Sequence, residues 1–241
     1  IDARFLRNEM LWGPEAQARL KASHVILFGL GGVGSYAAEC LARAGVGALT
    51  LVDSDVVSLT NINRQLYALH STVGQPKCQV MARRALDINP HADVTALQMF
   101  YDAQTADEID LSKFDYVVDA IDTVSTKLAL AQEAERRGIR LVSSMGAANK
   151  LRPECFRFAD VYDTVNCPLC RIMRKEARKR GIGHLRVLYS CEQPVDVAMR
   201  VGAARRERSN LGTASFVPPI MGQMIAGDVL RTLAGIGGEG T

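Results

Sequence analysis

The sequence predicts an α/β fold, a mostly parallel sheet with helices on both faces. Three observations predict it. Short apolar runs alternate with segments of helical composition along the first two thirds of the chain. The first run closes on Gly29-Leu30-Gly31-Gly32-Val33-Gly34, a glycine-rich loop that opens a helix. The second run closes on an acid, Asp53, at the place where sheets of this kind receive a ligand. With 241 residues, 48% of them hydrophobic, the chain can bury one substantial core.

The elements follow in order. Val25–Phe28 is a buried strand, and Ser35–Ala44 has helical composition. Leu49–Val52 is the second strand. Lys77–Asn89 reads as a helix stopped by Pro90, and Val94–Gln98 as the third strand. Tyr116–Ala120 is a strand, Thr123–Arg137 a long helix closed by Gly138, and Arg140–Ser144 another strand. After Gly146 the pattern changes. Phe156–Ala159 and Leu185–Tyr189 look like strands, and Pro168–Arg180 is a basic helix with proline in its first turn. Gln193–Asn210 is polar and charged, a mobile loop, and Phe216–Ala234 returns as the last helix. The whole reads as one domain: residues 1–150 a nucleotide-binding core, 151–215 a basic elaboration, 216–234 a helix that rejoins the core.

Charge is uneven. The net charge is +3, yet Arg171 to Arg208 holds eleven Lys/Arg against four Asp/Glu, so the rest of the chain is net acidic. Such a patch suits an anionic partner, although a solvated helix face has the same composition. Six cysteines are too sparse for a disulfide scaffold, which points to a reducing, cytoplasmic setting. The most apolar late stretch is broken by Pro218, Pro219, Gln223, Asp228 and Arg231, so no membrane span is expected.

Glycines at 29, 31, 32 and 34 let the backbone turn tightly and approach phosphates, and the helix after Val33 offers free N–H groups. Asp53 can accept hydrogen bonds from a ribose diol. Taken alone, this loop favours a nicotinamide-dependent dehydrogenase. Asn61-Ile62-Asn63-Arg64-Gln65 reverses that preference. Hydride transfer needs no such cluster, whereas a triphosphate does. Arg64 can stabilise phosphate charge with its planar fork of donors, and Asn61 and Gln65 can orient the phosphates. Lys77 opens a helix within reach of a phosphate. Asp122 lies at a strand's carboxyl end, where it can hold magnesium. These residues point to ATP with Mg2+. Singly, each has a plainer reading: a helix-start lysine for Lys77, a helix cap for Asp122.

At these residues the chain resembles the ubiquitin-activating-enzyme-like (E1-like) superfamily. The resemblance runs through Val25-x-x-x-Gly29-x-Gly31-Gly32-Val33-Gly34-Ser35, Arg43-Ala44-Gly45-Val46-Gly47, Val52-Asp53-Ser54-Asp55, Asn61-x-Asn63-Arg64-Gln65 and Gly74-Gln75-Pro76-Lys77. It implies a Rossmann-like E1-type adenylation domain that activates a carboxylate with ATP. It also implies a homodimer in which Arg7, within Arg4-Phe5-x-Arg7, reaches ATP across the interface. Roles follow for Arg7, Arg64, Lys77 and Asp122 in catalysis. Gly29, Gly31, Gly32, Val33, Gly34, Asp53, Asp55, Asn61 and Gln65 join them in nucleotide binding, with Asp122 at the metal.

The second half narrows the carboxylate. Superfamily members that activate small sulfur-carrier proteins have two C-x-x-C pairs, and this chain has one, Cys167-Pro168-Leu169-Cys170. The pair reads as two ordinary thiols at a helix start. A four-thiolate zinc site through Cys155 and Cys191 is the alternative. Cys191 likewise reads as an ordinary thiol rather than a nucleophile. Ser143–Lys150, Ala159-Asp160-Val161-Tyr162-x-Thr164 and Cys167-Pro168-Leu169-Cys170-Arg171-x-Met173-Arg174 resemble the tRNA threonylcarbamoyladenosine dehydratase family. So do Val187–Ser190 and the last helix. That resemblance implies ATP-dependent cyclisation of the threonylcarbamoyl group on adenosine 37 of tRNA, and allows a sulfur-relay protein as a further partner. The alternative is activation of the C-terminus of a small sulfur-carrier protein. A basic cluster of Arg171, Arg174, Lys175, Arg178, Lys179 and Arg180, continued by Arg186, Arg200, Arg205, Arg206 and Arg208, is expected to meet tRNA phosphates.

Overall fold

A computed structural model describes residues 2–102, 104–197 and 211–236. Two helices, α1 (Leu6–Trp12) and α2 (Pro14–Ala22), precede the first strand. Then come β1 (His24–Phe28), α3 (Gly34–Arg43), β2 (Ala48–Val52), α4 (Lys77–Ile88) and β3 (Asp93–Leu97). They are followed by β4 (Tyr116–Asp119), α5 (Val124–Arg137), β5 (Leu141–Ser144), β6 (Phe156–Asp160), α6 (Pro168–Lys179), β7 (Arg186–Ser190) and α7 (Val217–Ala234).

The strands form one sheet in the order β3-β2-β1-β4-β5-β7-β6. All neighbours pair in parallel except β6, which runs antiparallel to β7 at the edge. The order reverses at β1, so a crevice opens between the carboxyl ends of β1 and β4, where α/β sheets take their ligands.

Strand β1 shows why the sheet is covered twice. Val25 and Leu27 face a core shared with α2, α3, α4 and α7. Ile26 and Phe28 face the opposite core with Val117, Leu130 of α5, and Tyr101 and Leu111 from the β3–β4 connection. A third cluster joins α5 and α6 to Val187 and Tyr189 of β7. A strand buried on both faces reads as a continuous apolar run, and Val-Ile-Leu-Phe, after His24, is one.

Every predicted strand and helix is present, with ends shifted by a residue or two. Helices α1 and α2 were not expected. α2 begins with Pro14 at its first position, after Gly13. Arg19 of α2 donates from Nε to the carbonyl of Ala234 at 2.9 Å and so closes the end of α7. The predicted loop at 193–210 is described only to residue 197, where it has neither helix nor strand; the rest lies outside the described residues. No helix among the described residues is long and apolar enough to cross a membrane.

Candidate active site

The glycine loop leaves β1 under a tight steric constraint. Gly29 has φ +84°, and a Cβ there would stand 2.7 Å from the carbonyl oxygen of Ala120 at the end of β4. Any side chain at Gly34 would strike the Gly29 carbonyl at 1.8 Å. Beside Gly31, in contrast, only Gln65 Nε2 comes within 4 Å of a Cβ position, at 3.8 Å. The loop is thus packed at both ends and open at Gly31, near the N-terminus of α3. That open backbone is the cradle a phosphate chain would fill.

Asp53 braces this loop. Its Oδ2 accepts from the Leu30 N–H at 2.6 Å and its Oδ1 from the Asp55 N–H at 2.8 Å. Burial pushes the Asp53 carboxyl above the ordinary carboxylate range, against the pull of those two N–H groups and of Lys77. Tyr67, which the sequence reading missed, braces the loop from the other side. Its buried hydroxyl donates to the Leu30 carbonyl and also lies 3.4 Å from Gln65 Oε1. Its position two residues after Gln65 is the only sequence signal.

The Asn61–Gln65 turn stands against the loop, with the Arg64 carbonyl and Cγ each 3.2 Å from where a Gly32 Cβ would be. Arg64 is half-buried, and its Nη1 donates to Thr60 O and Asn63 Oδ1, both at 3.0 Å. Asn61 is buried, and its Oδ1 accepts from the Ser58 N–H at 3.0 Å. That oxygen closes a short helical turn, so the expected phosphate-orienting group doubles as a cap. Lys77, also buried, places Nζ 2.7 Å from Asp55 Oδ2. Asp122 is exposed at the end of β4, three residues beyond the strand's last residue.

Within one chain, then, the fold gathers the glycine loop, Asp53, Asp55, Asn61, Arg64, Gln65, Lys77 and Asp122 around one crevice. Arg7 is not among them. It is exposed on α1, where neighbouring Asn8 donates to Arg43 O at 3.2 Å and Phe5 packs at Gly45. Those contacts are at the far end of α3, about 15 Å of helix from the loop.

The C-terminal segment closes onto the site. Pro218 Cβ would lie 2.9 Å from a Cβ on Gly32. Asn63 Nδ2 donates to Thr213 O at 3.0 Å, and Gly212 and Asn149 exchange hydrogen bonds of 2.7 and 2.8 Å. The basic cluster is less uniform than its sequence implies. Arg174 turns inward, donating to Thr164 O at 2.8 Å and to the Thr164 hydroxyl. Lys179 pairs with Glu176 at 2.8 Å, and Arg186 grips Asp228 at 2.7 and 3.0 Å. Arg171, Lys175, Arg178 and Arg180 remain exposed, with Arg178 lying over the Tyr162 ring. Arg200, Arg205, Arg206 and Arg208 lie outside the described residues.

The thiols do not assemble into a metal site: among the described residues no three His, Cys, Asp or Glu side chains could hold a metal ion. Cys167 instead caps α6, accepting from the Cys170 N–H at 3.4 Å. The Cys170 thiol, with backbone N–H groups of Cys170, Leu169 and Gly146, draws the Cys167 thiol well below its ordinary value despite burial. Cys155 and Cys191 meet separately across the ends of β6 and β7.

Residues 5–241 match the ThiF family. The chain belongs to that family. It is 44% identical over 239 residues to the tRNA threonylcarbamoyladenosine dehydratase of Bacillus subtilis, covering 95% of this chain and 94% of the relative. The solved structure of the Escherichia coli tRNA N6-threonylcarbamoyladenosine dehydratase, TcdA, in complex with ATP superposes with a TM-score of 0.85 at 32% identity, covering 98% of this chain and 96% of that one. A molybdopterin-synthase adenylyltransferase of Haemophilus influenzae is 36% identical over 166 residues, 68% of this chain and 65% of the relative.

Proposed function

We propose that this ThiF-family chain is an ATP-dependent tRNA threonylcarbamoyladenosine dehydratase. Similarity to the Bacillus dehydratase along nearly its whole length carries the reading, and the crevice supplies the means. A threonyl carboxylate oxygen attacks the α-phosphorus of ATP, and the bond to pyrophosphate breaks. A nucleophilic atom of the carbamoyl group then attacks the activated acyl carbon. The attacking atom gives up its proton and AMP leaves with one former carboxylate oxygen, so the ring closes with net loss of water from the substrate.

The chain's contribution is positioning and charge stabilisation. The loop from Gly29 to Gly34 meets the phosphates with backbone N–H groups, and Asp53 accepts from the ribose. Arg64 and Lys77 carry the charge that develops on the phosphates. Asp122 would hold Mg2+, for which a single carboxylate is a usual protein anchor. The ion would neutralise charge on the departing pyrophosphate. The family resemblance carries a homodimer in which Arg7, remote from its own chain's crevice, serves the partner's site. Residues 151–215 act as the tRNA-binding elaboration, with Arg171, Lys175, Arg178 and Arg180 toward phosphates. A tRNA substrate and six free thiols fit the cytoplasm.

The test is AMP release from ATP with either threonylcarbamoylated tRNA or a small carrier protein ending in Gly-Gly. The tRNA is expected to drive it. Release driven by the carrier alone would move the chain to the sulfur-carrier-activating class.

A further inference from the structure

Beneath the carboxyl ends of β4 and β5 lies a charge pair with almost no contact with solvent. Lys127 is 1% exposed and Asp119 0%. Lys127 Nζ donates to Asp119 Oδ2 at 2.9 Å, to Ser143 Oγ at 3.1 Å and to Ser144 O at 2.7 Å, which uses all three ammonium hydrogens. Ser143 Oγ in turn donates to Asp119 Oδ2 at 2.5 Å.

Stability alone is a poor reason for this arrangement. Desolvating two charges is costly, and apolar residues of similar volume often serve as well or better. Lys127 also sits at the fourth position of α5, where the helix dipole disfavours a cation. The network's remaining bond shows what it achieves. Asp119 Oδ1 accepts from the Ile121 N–H at 3.0 Å, which fixes the corner Ala120-Ile121-Asp122. One end of that corner presents the Ala120 carbonyl as the floor under Gly29. The other end carries Asp122.

We infer that Lys127 and Ser143 hold Asp119 as a positioning carboxylate, which sets the corner that carries Asp122 against the Gly29 loop. The inference rests on the reading of Asp122 as the magnesium-holding residue. With Oδ2 clamped by an ammonium and a hydroxyl, the carboxylate cannot rotate, and Oδ1 stays on Ile121. Asp122 is then delivered to one place by a rigid support rather than by a free loop. Groups that orient a metal-holding carboxylate typically contribute ten- to a hundredfold in metal affinity or activity.

The test measures the Mg2+ concentration for half-maximal AMP release, the KM for ATP, kcat, and the thermal unfolding midpoint of the ATP-bound protein with and without Mg2+. Asp119→Leu with Lys127→Met replaces the pair by apolar side chains and removes the bond to Ile121. This double variant is expected to stay folded while its half-activating Mg2+ concentration rises by about tenfold or more. Ser143→Ala, which loosens the clamp without leaving a charge unpaired, is expected to raise it by a few-fold and keep the fold should the double variant fail to fold. Asp122→Asn serves as the control. If it shifts Mg2+ activation while the pair replacement, or Ser143→Ala in its stead, leaves activation at the wild-type value, the inference falls and Asp122 keeps its role. If Asp122→Asn itself leaves activation unchanged, the magnesium role of Asp122 falls and the inference falls with it.

Discussion

Lys77 Nζ sits 2.7 Å from Asp55 Oδ2, with the lysine side chain 7% exposed and the aspartate 65%. The ammonium is thus housed in protein while its counter-ion faces water. A second bond, from the Lys77 N–H to Asp55 O at 3.0 Å, ties the start of α4 to the end of β2. The cation is held near the nucleotide crevice at little entropic cost. Lys77→Met is expected to lower the rate of AMP release about a hundredfold or more, as loss of one charge-stabilising donor does elsewhere. Asp55→Asn removes only a solvent-screened partner and is expected to change the rate by less than about tenfold. Steady-state kinetics of the two variants with saturating tRNA check the contrast. Equal losses would show that the pair acts as a unit.

Arg64 holds its guanidinium on two neighbours from its own turn, Thr60 O and Asn63 Oδ1, and no ion pair fixes it among the described residues. Arg64→Ala is therefore expected to change the unfolding free energy by no more than about 0.5 kcal/mol. AMP formation should nevertheless fall to background. Arg64→Lys should not restore it, because a point charge does not reproduce the planar fork. Near wild-type turnover in Arg64→Ala would remove the residue from the site.

The fold was legible because β1, β2 and β4 are apolar on both faces and their ends carry glycine or acid, all of which one-dimensional patterns record. Of the candidate crevice, the glycine loop, Asp53 and Asp122 were legible for the same reason, since they follow strand ends. What stayed hidden depends on pairing across the chain. Nothing near Lys127 in sequence announces Asp119 and Ser143 as its partners. Tyr67 is an ordinary aromatic until the Leu30 carbonyl arrives beside it. The count of basic residues in α6 could not show that Arg174 turns inward to Thr164. Helices α1 and α2 were missed because they are short and α1 buries none of its own residues; their packing comes from Phe5, Ala16 and Leu20 at the Gly45–Gly47 turn and α7.

Gly222 is where α7 crosses α3. A Cβ there would lie 2.2 Å from the Val33 carbonyl and 3.1 Å from the Ala37 nitrogen. Backbone cannot yield as a side chain can, so Gly222→Ala must push the helices apart. The expected cost is about 1–3 kcal/mol, or a fall in the unfolding midpoint of several degrees for a chain of this size. Because Val33 ends the glycine loop, the KM for ATP should rise in parallel. Scanning calorimetry measures the midpoint, and steady-state rates against ATP concentration measure the KM. A midpoint within a degree of wild type would mean that the helices separate freely.

Glu39 of α3 pairs with Arg84 of α4 at 2.6 Å and, within its own helix, with Arg43 at 2.6 Å. Burial raises its pKa, but the hydrogen bonds from the two guanidinium groups outweigh burial and leave it below the ordinary 4.5. A carboxyl group depressed in the folded state stabilises above its unfolded pKa, and that stabilisation is lost as pH falls through the folded value. Glu39→Gln should thus be less stable than wild type at pH 7, and the two should converge at a pH below the ordinary glutamate range. Both arginines are partly open to solvent, so the gap should not exceed about 1 kcal/mol. Urea unfolding across the acid range tests the sign; a gap that widens on acidification contradicts it.

The basic residues of α6 and β7 are of two kinds, and tRNA binding should separate them too. Arg171 and Lys175 are exposed and make no ion pair among the described residues. Each is free to release a counter-ion by meeting a phosphate. Replacing either by alanine should weaken tRNA binding and reduce the slope of log affinity against log salt by about 0.7–0.9. Arg186 has the same charge but spends it on Asp228, which is 5% exposed, and its guanidinium lies over the Phe158 ring at 5.0 Å. Arg186→Ala should leave the salt slope unchanged and instead lower the unfolding midpoint, because it strips a buried carboxylate of its close partner, leaving Arg231 at 3.6 Å. Filter binding of tRNA over a range of KCl concentrations, beside thermal unfolding, reads both quantities. If the three variants change the slope alike, charge density alone governs binding, and the inward pairing of Arg186 does not withdraw it from the tRNA.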